Sequence, residues 1–160
     1  MARKPKKKSM LLVVDSDVIQ SCSPLGSQHP IGSRNRDFLI GILEICHHVV
    51  LTDEISDEWR NHSSSFFRKW RLSMHAKKKF DRVITPDSLG TKLEKLDVSD
   101  NAIAAMLKDV HLIDAALCAD CIVISMDEKA HNLFINASDR IKKIKRVRWL
   151  NPINDLAADI

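Results

Sequence analysis

Long apolar runs are missing from the 160 residues: none reaches the roughly 18 needed to cross a bilayer, and the basic start meets only Met10–Val14 before Asp15. The reading is neither a membrane span nor a signal peptide, and a non-exported chain of the cytoplasm. Acid is missing from the first ten residues, which carry Arg3, Lys4, Lys6, Lys7 and Lys8. Setting those five aside leaves 20 of the 25 Lys and Arg against 21 Asp and Glu, a formal −1 in place of +4. The body of the chain is therefore near neutral, and its charges have meaning only by position. Glycine is scarce, at four, and the strained Gly-x-Ser-x-Gly turn of a serine hydrolase is absent. A second cysteine pair is also missing. Cys118-Ala-Asp-Cys121 has zinc-knuckle spacing, but Cys46, His47 and His48 are adjacent, so no structural zinc site is expected. Cys22, Cys46, Cys118 and Cys121 are read as reduced, buried core residues.

What is present alternates. Residues 1–9 lack apolar periodicity and read as a disordered basic tail, leaving 10–160 as one domain. Met10–Val14 is a short apolar run ending in acid, a buried strand. Ser21–Ser33, with Pro24, Gly26, Pro30 and Gly32, reads as a loop. Phe38, Leu39, Ile42, Leu43 and Cys46 recur at helical spacing, and Val49–Leu51 is a second strand. Thr52 or Asp53 caps an acidic-fronted helix. A helical pattern runs over Ser63–Phe80, with Phe67, Trp70 and Met74 facing inward, and Val83-Ile84 is a short third strand. Asp100 caps a long helix whose Ile103, Met106, Leu107, Val110, Ile113 and Leu117 share one face. Strands at Cys121–Ser125 and Val147–Leu150 bracket a helix over Glu128–Phe134. No internal repeat interrupts the alternation. Apolar strands separated by helices predict the α/β class: a three-layer α/β/α domain around a parallel sheet of about five strands.

In such a sheet, ligands collect at the carboxyl ends of the strands. Asp15 ends the first strand, Asp127 follows the fourth, and Glu54 or Glu58 follows the second. Carboxylates crowded together raise one another's pKa, a cost normally tolerated where a divalent cation neutralises them. Oxygen ligands without attendant Cys or His suit Mg²⁺ or Mn²⁺.

Leu12-Val13-Val14-Asp15-Ser16-Asp17-Val18 resembles the opening strand of PIN-domain nucleases. Val49–Trp59 resembles that family's second block, whose glutamate lies on the helix some six residues beyond the strand and so matches Glu58 better than Glu54. Lys108–Leu117 resembles the third block and Ile122–Asp127 the fourth; Asp109, 18 residues before Asp127, takes the third acid, with Asp114 at a secondary position. Asp17 stands where the family usually has Asn and adds a potential ligand. The long basic helix at 63–80 departs from the compact toxins of the family. Periodicity alone does not choose between Asp109, at the edge of the apolar stripe, and Asp114, inside it, where a carboxylate needs a partner.

The resemblance implies a metal-dependent endoribonuclease. Asp15, Glu58, Asp109 and Asp127 would hold one or two Mg²⁺ or Mn²⁺ ions, with Asp17, Asp114 and Ser125 in support and RNA as substrate. It also implies a possible antitoxin partner and a possible homodimer, and leaves a role in RNA processing open. Arg68, Lys69, Arg71, Lys77, Lys78 and Lys79, and a second run of Arg140, Lys142, Lys143, Lys145, Arg146 and Arg148, are candidates to follow a phosphate backbone around the acids. Trp59 or Trp70 would stack on bases. Among the histidines, His111 alone stands beside a candidate ligand. Two alternatives compete. Asp15-Ser-Asp17 also fits the nucleophile motif of haloacid-dehalogenase-like phosphatases, but none of Gly26, Gly32, Gly41 or Gly90 is followed by the Asp that family needs. An inactive binding module on the same fold is the other, against which all four acids speak.

Overall fold

The computed structural model describes residues 8–22, 29–62, 64–86 and 89–160. The basic tail expected at 1–9 falls mostly outside the described residues, as does the middle of the 21–33 loop. Five strands, β1 (Leu11–Val14), β2 (His48–Leu51), β3 (Phe80–Arg82), β4 (Ile122–Ile124) and β5 (Arg148–Leu150), form one all-parallel sheet in the order β3-β2-β1-β4-β5. Among the described residues seven α-helices connect them: α1 (Ser16–Gln20), α2 (Pro30–Ile45), α3 (Asp53–Arg60), α4 (Ser65–Ala76), α5 (Leu89–Leu93), α6 (Asp100–Leu117) and α7 (Glu128–Ala137). The expected α/β/α architecture is what the chain adopts. α2 packs against α4, and α6 against α7, β1 and β4. Right-handed crossovers put the first pair on one face and the second on the other.

β4 is buried throughout and β1 and β2 are buried after their first residues, Leu11 and His48, which is why Leu12–Val14, Val49–Leu51 and Ile122–Ile124 read as apolar runs rather than alternations. No helix among the described residues is long and apolar enough to cross a membrane.

Local chemistry sets the boundaries. Pro30 opens α2 at a position where its fixed φ and missing N–H are assets, and His29 Nδ1 accepts the N–H of Gly32 at 3.3 Å. The loop expected to reach Ser33 therefore ends at His29. Thr52 Oγ1 caps α3 through the N–H of Ile55 at 3.2 Å. α6 is capped by Ser99, not Asp100, because the Ser99 hydroxyl reaches the N–H of Ala102 at 3.2 Å. The third strand is Phe80–Arg82 rather than Val83-Ile84, and α4 stops at Ala76. As an edge strand, β3 pairs with β2 alone, its central Asp81 binds His48 at 2.6 Å, and Ile84 lies 98 % exposed. Gly41 in α2 is required by close approach: a Cβ there would stand 2.6 Å from that of Ala157.

Three non-glycine residues have left-handed backbone: Cys46, Lys78 and Cys121, with φ of 69°, 55° and 60°. Each turns the chain toward the strand that follows. These turns also correct the cysteine reading. Cys46 and Cys118 are exposed at helix ends and Cys121 is half-buried; Cys22 alone of the four is buried, its thiol pushed up to about 12 by that burial.

Candidate functional site

Reversal of strand order occurs between β1 and β4, whose chains leave toward opposite edges, and the carboxyl ends at such a point are where open α/β sheets collect ligands. The register pairs Val13 with Val123 and Val14 with Ile124, which sets Asp15 beside Ser125. The Asp15 N–H donates to Ile124 O at 2.9 Å and closes the ladder at that point.

Ser125 organises the acids. It is fully buried, and its Oγ lies 2.8 Å from Asp15 Oδ2 and 3.2 Å from Asp17 Oδ2, while accepting the Asp127 N–H at 3.1 Å. One hydroxyl proton serves one acid at a time. Asp17 Oδ2 also accepts the backbone N–H of Met126 at 3.0 Å. Asp127 is itself exposed and caps α7, its Oδ1 receiving the N–H of Ala130 at 2.9 Å. The contacts of Asp15 and Asp17 with Ser125 and Met126 tie the segment after β1 to the turn after β4.

From the other side, α3 brings Glu58 and α6 brings Asp109 and His111. Glu58 Oε1 stands 3.0 Å from His111 Nε2, at ion-pair distance although outside good hydrogen-bond alignment. The charges feel one another. Burial raises the Asp15 pKa, and the charge of Glu58 adds to the rise against the Ser125 hydrogen bond. Asp17 is pushed up to about 7, by burial first and the Asp15 charge second. Asp109 is pushed up to about 6 by burial and by the charges of Asp15 and Asp127. For His111, burial opposes the charged form, but Glu58, Asp109 and Asp15 together raise its pKa above the ordinary value.

Charge interactions thus link Asp15 with Asp17, Glu58 and Asp109, and Asp109 with Asp127. Asp114 is buried within α6. Glu54 is exposed in the first turn of α3, and no contact among the described residues joins it to the other acids.

Two buried oxygens at the centre lack a hydrogen-bond partner: Asp17 Oδ1, and Oδ1 of Asn35, whose Nδ2 donates to Met126 Sδ at 3.2 Å. An orphaned buried acceptor costs about 1–3 kcal/mol, so both suit a group that supplies positive charge or protons. The donor set, carboxylates with a hydroxyl and an amide, matches a hard cation. As they stand, no three His, Cys, Asp or Glu side chains among the described residues are arranged to hold a metal ion.

Asn35 went unnoticed in the sequence although a signal existed. The α2 stripe of Phe38, Leu39 and Ile42 carried back one turn falls on Asn35, which is fully buried. The backbone N–H groups of Met126 and Asp127 left no mark in residue types.

Two expectations are overturned. Neither tryptophan is free to stack on bases: Trp59 is buried with Nε1 on Val14 O at 3.2 Å, Trp70 with Nε1 on Leu39 O at 2.7 Å. Both rings lie in one cluster with Phe67 and Phe80, where indole burial satisfies its N–H and gains more than exposure would. Nor do the cations ring the acids as expected. Lys77, Lys78 and Lys79 precede β3, and Lys142–Arg146 form a 3₁₀ turn preceding β5, so both runs sit at the amino-terminal edge of the parallel sheet, opposite Asp15 and Asp127. Arg68, Lys69 and Arg71 are exposed on α4. Compared with known proteins, the chain matches no family model and no curated protein.

Proposed function

We propose that the chain is a Mg²⁺- or Mn²⁺-dependent endoribonuclease that hydrolyses RNA phosphodiester bonds. One observation carries the reading: at the sheet's reversal point burial, and after it the charges of neighbouring carboxylates on α3, at the end of β1 and in the turn after β4, raise the pKa values of Asp15, Asp17 and Asp109. Repulsion of that kind costs stability, and a structural role does not require it. The order and spacing of the same residues, which resemble PIN-domain nucleases, support the same conclusion.

Asp15, Asp17, Glu58, Asp109 and Asp127 are the residues that would hold the ion, which requires their carboxylates to turn toward one point. When bound, such an ion lowers the pKa of a coordinated water and offsets charge on the attacked phosphate. The chain's own part is to hold this constellation. Ser125 steers Asp15 and Asp17 and is itself fixed by the N–H of Asp127. His111 restrains Glu58 on the opposite side. No nucleophilic side chain is needed.

The test is cleavage of a labelled single-stranded RNA by the purified chain with Mg²⁺ or Mn²⁺, compared with Asp15→Asn. The wild type is expected to cleave only with metal, and the variant to remain folded and lose cleavage. If the wild type is inert under every metal and the substitution leaves RNA binding unchanged, the nuclease reading fails and a non-catalytic binding module takes its place. A toxin role, with a small antitoxin and a dimer, belongs to the same proposal; a short overlapping upstream reading frame would favour it over RNA processing.

A further inference from the structure

The turn between β4 and α7 supplies the donors that order the acids: the Ser125 hydroxyl, the Met126 N–H on Asp17 at 3.0 Å, and the Asp127 N–H that fixes Ser125 Oγ at 3.1 Å. Sheet pairing holds only the first of these residues. The Ser125 N–H still donates to Leu150 O at 3.0 Å, whereas the Met126 N–H is given to Asp17 and to no strand. Met126 is the first residue past the ladder, and what fastens its side chain comes from α2. Asn35 Nδ2 donates to Met126 Sδ at 3.2 Å, the one hydrogen bond to that sulfur among the described residues. A methionine side chain turns about three bonds, so tethering its tip removes freedom that would otherwise pass to the turn.

For the fold alone, Asn35 is a poor choice. It continues the buried stripe of Phe38, Leu39 and Ile42 and is fully enclosed. Its one bond goes to sulfur, a weak acceptor, and its Oδ1 has no partner. Leucine branches at the same carbon and would pack on Met126 without stranding an oxygen, and an apolar group of the same shape is commonly neutral or stabilising at such a place. The helix does not depend on the amide either, since α2 is begun by Pro30 and the His29 cap. A buried, half-satisfied amide calls for a reason outside packing, and the residue it holds is the donor to Asp17.

We infer that Asn35 is a positioning residue of the acid centre: through the Met126 side chain it fixes the turn that presents the Met126 N–H to Asp17 and the Asp127 N–H to Ser125. The inference rests on the metal-dependent reading of the acids, and it assigns Asn35 no contact with an ion or with RNA.

The test uses the full chain and two readouts other than cleavage, Mn²⁺ affinity by calorimetry and melting temperature in EDTA. Asn35→Leu is expected to bind Mn²⁺ about tenfold more weakly or worse, the usual effect of losing a group that orients ligands, and to melt no lower than wild type. An asparagine kept only for the fold would instead lower the melting temperature. Met126→Leu keeps the volume and removes the sulfur, so it should reproduce the loss of affinity. The double variant should lose no more than the larger single loss, because both substitutions break one contact.

Affinity within twofold of wild type in Asn35→Leu overturns the assignment. So do losses that add in the double variant, or a melting temperature that falls together with affinity in Asn35→Leu. If Asn35→Leu does not fold, Met126→Leu decides alone: a tenfold loss supports the tether and unchanged affinity removes it. Wild type that binds no Mn²⁺ overturns this inference and the metal-dependent reading together. Wild type that binds and cleaves while both leucine variants bind normally removes Asn35 and leaves the nuclease reading standing; a tether-dependent Mn²⁺ site without any RNA cleavage does the reverse.

Discussion

The two ends of the sheet solve opposite problems with the same residue types. Away from the carboxyl end, acids finish bonds: Asp120 accepts the N–H of Leu11 at 2.7 Å before β4, Asp81 in the middle of the edge strand binds His48 at 2.6 Å, and Asp139 pairs with Lys145. At the carboxyl end, acids face acids, one carboxylate oxygen has no partner, and burial holds Asp17 and Asp109 well above the usual carboxylate range. An acid placed next to a donor stabilises the fold, and an acid placed next to another acid holds a site at the fold's expense. The same side chain therefore answers differently to substitution according to the end it occupies.

The contrast breaks most visibly at Asp15. Asp15→Asn should take metal-dependent RNA cleavage to background, measured as initial rate, with unchanged circular dichroism; a variant retaining most of its rate would remove the acids from the chemistry. Next comes His111→Ala, which frees Glu58. Loss of a group that orients a ligand typically costs about 10–100-fold in metal affinity or activity. The sharper readout is Mn²⁺ affinity by calorimetry, and His111→Gln should recover part of it by restoring a donor.

Asp17 gives a stability prediction with a definite sign. Its folded pKa of about 7 lies above the ordinary 3.8, so the folded state binds the proton more tightly than the unfolded one. That contribution is complete below about pH 4 and is lost as pH rises to about 7. In EDTA the protein should melt higher near pH 5 than near pH 8. Asp17→Asn should flatten that dependence and raise the melting temperature at pH 8 by about 4 °C or more, the equivalent of roughly 1–2 kcal/mol. A variant that melts lower than wild type at pH 8 would mean that Asp17 is structural.

The smallest effect belongs to the other end. Lys78 holds a left-handed conformation that costs a side chain about 1 kcal/mol, so Lys78→Gly should raise stability by about that amount in denaturant titration and leave cleavage unchanged.

Much of the acid end was readable from sequence because buried parallel strands are short apolar runs, and a carboxylate that stops such a run marks the strand's carboxyl end. Asp15 and Asp127 were singled out that way, whereas Glu58 over Glu54 and Asp109 over Asp114 came only from the resemblance to PIN-domain nucleases. What could not be read depends on topology. The basic runs before β3 and β5 look the same in sequence whether they lie near the acids or across the sheet; only the parallel direction of every strand decides it. β3 was misplaced because an edge strand of three residues with a central Asp carries no apolar signal. Trp59 and Trp70 were open to either reading, since an indole beside charged residues shows nothing of the carbonyl that receives its N–H.

The contacts of Ser125 with Asp15 and Asp17 join residues 110 and 108 positions apart. At about 5–20 residues per second of synthesis, a growing chain carries Asp15 for roughly 5–20 s before Ser125 is made. During that interval β1 has no β4 beside it, and neither the Ser125 hydroxyl nor the Met126 N–H exists to order the acids. Asp15 and Asp17 consequently wait without their organising donors until Met126 has been joined, and the acid centre assembles only then.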